Sequence, residues 1–86
     1  MSDQSVSVEQ WGRMKAVMSV ALDTDMGNVD MTTPTSLVPG WNSVSITVLV
    51  LALEEEFGIE MPLEDVFKVA TVGDLARQVA DCVDAR

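Results

Sequence analysis

Few residues in this chain could do chemistry, and their spacing narrows what that chemistry is. The sequence holds 0 His and 1 Cys. The commonest general base, the commonest metal ligand and the physiological pH switch are all missing together. Cys82, alone, can form no intrachain disulfide and has no His to activate it, so a small, partly buried thiol is expected and not a nucleophile. Glu54-Glu55-Glu56 supplies three adjacent carboxylates. Neighbours on a helix point about 100° apart, so these do not converge on one substrate atom and read as a solvated face. Asp23-Thr24-Asp25-Met26-Gly27-Asn28-Val29-Asp30 resembles the start of a calcium loop but fails in detail: Gly27 and Asn28 are reversed, and Pro34 stands where the closing Glu should be. Ser43 remains. It lies in Gly40-Trp41-Asn42-Ser43-Val44, where a long polar stretch gives way to an apolar one. Ser or Asn at such a junction caps a helix, contributing about 1 kcal/mol. The same junction offers unpaired N–H groups and the positive end of a helix dipole, so a phosphate on the Ser43 hydroxyl would be favoured there.

The elements that must position Ser43 follow from periodicity. Residues 1 to 6 are polar and expected to be a flexible N-terminus. Ser7 followed by Gln10 fits a capping box, and apolar residues recur at Val8, Trp11, Met14, Met18, Ala21 and Leu22, which predicts a first helix over 8–22. Asp23 to Asn42 contains Gly27, Asn28, Pro34, Pro39 and Gly40 and is expected to be a long loop, of the kind that is usually functional. Ile46 to Leu51 is rich in β-branched residues, but the run flows into Ala52-Leu53-Glu54-Glu55-Glu56-Phe57 and ends at Gly58. Length therefore selects a helix over 43–57, with Ile46, Leu49, Val50, Leu53 and Phe57 as its core face. Val44, Val48 and Leu51 fall on the opposite face beside Glu55. Leu63 to Phe67 suffices for one or two turns, and Thr71 with Asp74 starts a last helix whose stripe is Val72, Leu75, Ala76, Val79 and Val83. The fold class is all-α: a small four-helix bundle of three longer helices and one short one, with a long loop between the first and second, over a single domain at 7–84.

Composition bounds the partners. There are 5 Lys plus Arg against 14 Asp plus Glu, a formal charge of −9, which disfavours nucleic acid. Apolar residues make up 48% of the chain, enough for one core. The longest apolar run, Val48 to Leu53, is far short of a membrane span, so no membrane insertion is expected, and Met1-Ser2-Asp3-Gln4 lacks the pattern of a signal peptide. A monomer in the cytoplasm is the expectation.

Asn42-Ser43-Val44, ahead of Glu54-Glu55-Glu56-Phe57-Gly58-Ile59-Glu60, resembles the attachment region and second helix of acyl carrier proteins. The resemblance continues through Pro62 and Thr71-Val72-Gly73-Asp74-Leu75; it covers residues 36 to 83 well and the first helix by pattern. It implies a four-helix bundle with a long first loop, and a 4′-phosphopantetheine arm on Ser43 whose thiol carries acyl groups as thioesters. It implies a carrier and not an enzyme: Ser43 is a substrate, modified by a phosphopantetheinyl transferase with coenzyme A. The further partners implied are acyl-loading, condensing or acyl-transferring enzymes. Three positions depart from the family pattern. Asn42 replaces the usual Asp, which bears on how fast and by which transferase Ser43 is modified. Val44 replaces the usual Leu. Val48 stands where an acidic residue is common, making Val44, Val48 and Leu51, with Glu55 at the rim, an apolar partner-binding face. That points to a discrete carrier of a dedicated pathway, fatty-acid-like, polyketide or otherwise specialised. An aminoacyl or peptidyl carrier, and an unmodified acidic adaptor of carrier-like fold, are the alternatives.

Overall fold

The structure is a computed structural model and describes residues 7–85; the expected flexible segment 1–6 lies outside the described residues. The first helix, α1, spans Val8–Leu22. Ser7 caps it, its side chain accepting from the Gln10 N–H at 3.1 Å, and Asp23 ends it in the left-handed region at φ 53°. Met14, Met18 and Leu22 are buried, while Trp11, Val17 and Ala21 pack partly against the core. Val8, expected on the same stripe, is 88% exposed. It is the first helical residue, and side chains lean towards the N-terminus, so it points past the end of the bundle.

Helix α2 spans Ser43–Phe57, and its buried residues are Ile46, Leu49, Val50, Leu53 and Phe57, the face expected from the 100° spacing. Burying side chains of this size contributes about 2 kcal/mol each, which outweighs the mild β preference of Ile46, Thr47, Val48 and Val50. Gly58 closes the helix in the left-handed region. Helix α3, Leu63–Phe67, contributes Val66 to the core, and α4, Val72–Ala85, contributes Val72, Leu75, Ala76 and Val79. The start of α4 is a reciprocal cap: Asp74 N–H donates to Thr71 Oγ1 at 3.1 Å, and Thr71 N–H donates to Asp74 Oδ2 at 3.2 Å.

α1 packs chiefly on α2, and the two run antiparallel. At one end the Leu22 backbone meets Gly40 just before α2. At the other, the Arg13 guanidinium donates to the Glu56 carboxylate at 3.0 Å and to the Glu56 carbonyl at 2.8 Å, with its carbon 4.6 Å from the centre of the Phe57 ring.

The segment between α1 and α2 is the long loop expected, and it is ordered. It contains a one-turn 3₁₀ helix at Thr35–Leu37 and buries Met26, Val29 and Val38. It is pinned to the α3–α4 junction: Thr35 N–H donates to Ala70 O at 3.0 Å, Val72 N–H to Thr33 O at 2.9 Å, and Gly73 N–H to Met31 O at 2.7 Å. Thr35, buried, also donates its hydroxyl to Val69 O at 3.1 Å. Gly73 permits this approach, since a Cβ there would lie 2.5 Å from Met31 O. These bonds join residues far apart in sequence, so local pattern does not reveal them. Among the described residues no helix is long and apolar enough to cross a membrane.

Candidate attachment site

The approach to Ser43 is a built turn. Trp41 N–H donates to Val38 O at 3.2 Å across Pro39-Gly40, the pair that a turn with a left-handed third residue favours. Gly40 takes φ 82°, and a Cβ there would lie 2.6 Å from the Leu22 carbonyl, so the position needs glycine on two counts. Asn42 is then the N-cap of α2, with extended backbone at φ −151° and ψ 171°. Its side chain accepts from the Ser45 N–H at 3.0 Å, and Ser45 Oγ accepts from the Asn42 N–H at 3.1 Å. This is a full capping box. Of the two caps the sequence allowed, Asn42 takes the role and Ser43 does not.

Ser43 is thereby the first residue of α2, exposed, with its hydroxyl free of hydrogen bonds among the described residues. The Ser43 and Val44 N–H groups are likewise unpaired among them, and the first turn carries no acid. A free hydroxyl beside two open donors at the positive end of a fifteen-residue helix fits an anionic phosphodiester.

The stripe on the outer face of α2 is also where the spacing put it. Val44 is 75% exposed, Val48 48% and Leu51 62%, and neither α3 nor the long loop covers them. Steps of three, four and seven residues make these side chains and Glu55 neighbours along one face. Val48 and Glu55 turn at its edge into an open groove of about 540 Å³ between α1 and α2, floored by Ala16, Val17 and Ala52. Val20 of α1, 84% exposed, stands on the far wall. Val17 and Val20 were not singled out from the sequence, though two valines three apart and off the core stripe are a signal of a second apolar face.

The other candidate residues take structural roles, and the three glutamates do not form the single solvated face expected. The three glutamates go separate ways: Glu54 accepts from the Met61 N–H at 2.9 Å, Glu56 pairs with Arg13, and Glu55 has no ion pair among the described residues. Burial, then the charges of Asp81, Asp65 and Glu54, push the Cys82 thiol above its ordinary range, away from the reactive thiolate. The acids of the long loop serve local turns. Asp30 accepts from the Thr32 hydroxyl at 2.6 Å and the Thr32 N–H at 2.9 Å, and Asp25 from the Gly27 N–H at 2.8 Å. Among the described residues no cluster of three or more acidic or Cys side chains could hold a metal.

Residues 16–79 match the family described as phosphopantetheine attachment site, a span that includes Ser43 and the whole outer stripe of α2. The chain belongs to the acyl carrier protein family. It is 34% identical over 68 residues to the acyl carrier protein of Helicobacter acinonychis (strain Sheeba), covering 79% of this chain and 87% of that one. It is 36% identical over 67 residues to the acyl carrier protein of Clostridium acetobutylicum, covering 78% and 87%. A shorter stretch of 40 residues is 50% identical to the acyl carrier protein of Wolinella succinogenes, 46% of this chain and 53% of the relative. Membership brings a covalently attached 4′-phosphopantetheine as cofactor and interaction with enzymes that attach it and handle its acyl cargo. These relatives are named as carriers.

Proposed function

We propose that Ser43 is the attachment residue and that the chain shuttles acyl intermediates between enzymes of a dedicated biosynthetic pathway in the cytoplasm. The observation that carries this reading is the free, exposed Ser43 hydroxyl at the first position of α2, inside the matched segment. When attached, the arm supplies a terminal thiol that holds acyl groups as thioesters. The rest of the work falls to the chain's own residues. Asn42 and Ser45 hold the first turn of α2, the open Ser43 and Val44 N–H groups favour an anion there, and the bundle keeps the site on its surface. Among the described residues no side chain hydrogen-bonds the Ser43 hydroxyl, so its activation is assigned to the transferase.

Val44, Val48 and Leu51, with Glu55 at the rim, form the surface on which partner enzymes dock. An exposed apolar stripe with no charge in its first turn supports recognition by hydrophobic contact beside the site, and hence a dedicated pathway. Incubation with coenzyme A and a broad-specificity phosphopantetheinyl transferase tests the reading. Intact mass should rise by one phosphopantetheine, and Ser43→Ala should show no rise. If several transferases leave the wild-type mass unchanged, the chain is a binding adaptor of carrier fold.

A further inference from the structure

A second hydroxyl lies two residues beyond Ser43 on the same turn, and unlike Ser43 it is fully engaged. Ser45 Oγ donates to the Gly40 carbonyl and accepts from the Asn42 N–H at 3.1 Å, while the Ser45 N–H donates to Asn42 Oδ1 at 3.0 Å. Asn42 Nδ2 donates to the same Gly40 carbonyl at 3.2 Å. Two donors thus gather on Gly40, whose Cα is pressed so closely on the last residue of α1 that a Cβ would meet Leu22 O at 2.6 Å. The result is a brace from the end of α1, through Gly40, to the first turn of α2. Ser43 sits inside it, between Asn42 and Ser45. A carboxylate at position 42 could accept from the Ser45 N–H, but it would replace the donor to Gly40 with a charge facing a carbonyl oxygen.

We infer that Ser45 is a positioning residue for the modification of Ser43, and that the same bonds withdraw Ser45 as a competing acceptor. The inference rests on Ser43 being the attachment residue. In that reaction Ser43 Oγ forms a bond to the β-phosphorus of coenzyme A as the bond from that phosphorus to the bridging oxygen breaks. 3′,5′-Adenosine bisphosphate leaves, and the hydroxyl proton passes to a base of the transferase. An in-line displacement of this kind is sensitive to where the nucleophilic oxygen is held, and small misplacements cost large factors in rate. Ser45 acts on it through the backbone of the turn and touches no reacting atom.

The test is the rate of modification of full-length wild type, Ser45→Ala, Ser45→Thr and Ser43→Ala by a transferase with coenzyme A, followed by intact mass and peptide mapping. For Ser45→Ala, kcat and kcat/KM for the carrier should fall together by about tenfold, as for lost positioning in the transition state. Ser45→Thr, which keeps the hydroxyl, should restore the wild-type rate. Thermal unfolding of Ser45→Ala should stay above the assay temperature. In Ser43→Ala, Ser45 should remain bare. Wild-type kcat in Ser45→Ala, a loss confined to KM that reports only a smaller competent fraction, or modification of Ser45 in Ser43→Ala overturns the inference alone. A wild type that gains no mass overturns the attachment reading, and the inference with it.

Discussion

Ser43 and Ser45 are the same residue type two positions apart, and their hydrogen bonds and burial distinguish them. A similar division separates the acids. Asp74 accepts from the backbone N–H groups of Thr71 and Ala70 and pairs with Arg77, and these contacts, Thr71 first, hold its carboxyl below the ordinary carboxylate range. A carboxyl whose pKa is depressed by folding stabilises the fold above its unfolded value, and that contribution is lost as pH falls through the folded value. The urea midpoint of the wild type should therefore drop through the acid range, and that of Asp74→Asn should drop less steeply. Equal slopes in a pH series of denaturation curves would show that Asp74 makes no such contribution. Ser7, Thr71 and Asp74 were legible as caps because a cap is a local device, set by residues three apart. That Asn42 and not Ser43 caps α2 depends on which backbone turns outward at Gly40, and this is not a property of either side chain.

At the scale of elements, α2 has two faces with different duties. The inner one is legible because five buried apolar residues at helical spacing leave little choice. The outer one is apolar too, and only the packing shows that it stays bare. Val48→Glu or Leu51→Glu should change stability by no more than about 0.5 kcal/mol, while slowing transfer to or from a partner enzyme. Circular dichroism melts beside a transfer assay separate the two; a variant that unfolds would place those residues in the core. Two glycines make a matching pair. Gly12 has nothing within 4 Å of an added Cβ, whereas at Gly73 that atom would meet the Met31 carbonyl at 2.5 Å. Gly12→Ala should stabilise by up to about 1 kcal/mol through helix propensity. Gly73→Ala should destabilise by about 1–3 kcal/mol, because a backbone carbonyl cannot swing aside as a side chain can. Denaturant titration of both gives the contrast; Gly73→Ala as stable as wild type would mean the long loop is not held where the structure has it.

At the scale of the whole molecule, the −9 charge sums to a field over the surface beyond the few contacts the acids make. Residues 43–70 carry Glu54, Glu55, Glu56, Glu60, Glu64 and Asp65 against Lys68 alone, yet the turn beside Ser43 is uncharged. The acids and the proposed docking stripe thus occupy different parts of the surface. Raising salt should increase the melting temperature by screening self-repulsion, and should slow association with a basic partner while leaving dissociation nearly unchanged. Stopped-flow rates at several ionic strengths measure both; a dissociation rate that climbs with salt as steeply as association falls would assign the docking face to the acids.

The order, type and boundaries of α1, α2 and α3 were set by the sequence itself, since periodicity, length and caps act over a few residues. Tertiary structure decided the rest: that the long loop is ordered by hydrogen bonds to the α3–α4 junction, that the stripe of Val44, Val48 and Leu51 stays exposed, that Val20 joins Val48 across a groove, and that Ser45 is tied while Ser43 is free. Each depends on what lies opposite a residue in space. Local pattern shows which way a side chain points along its own helix, and only the packed chain shows what it meets there.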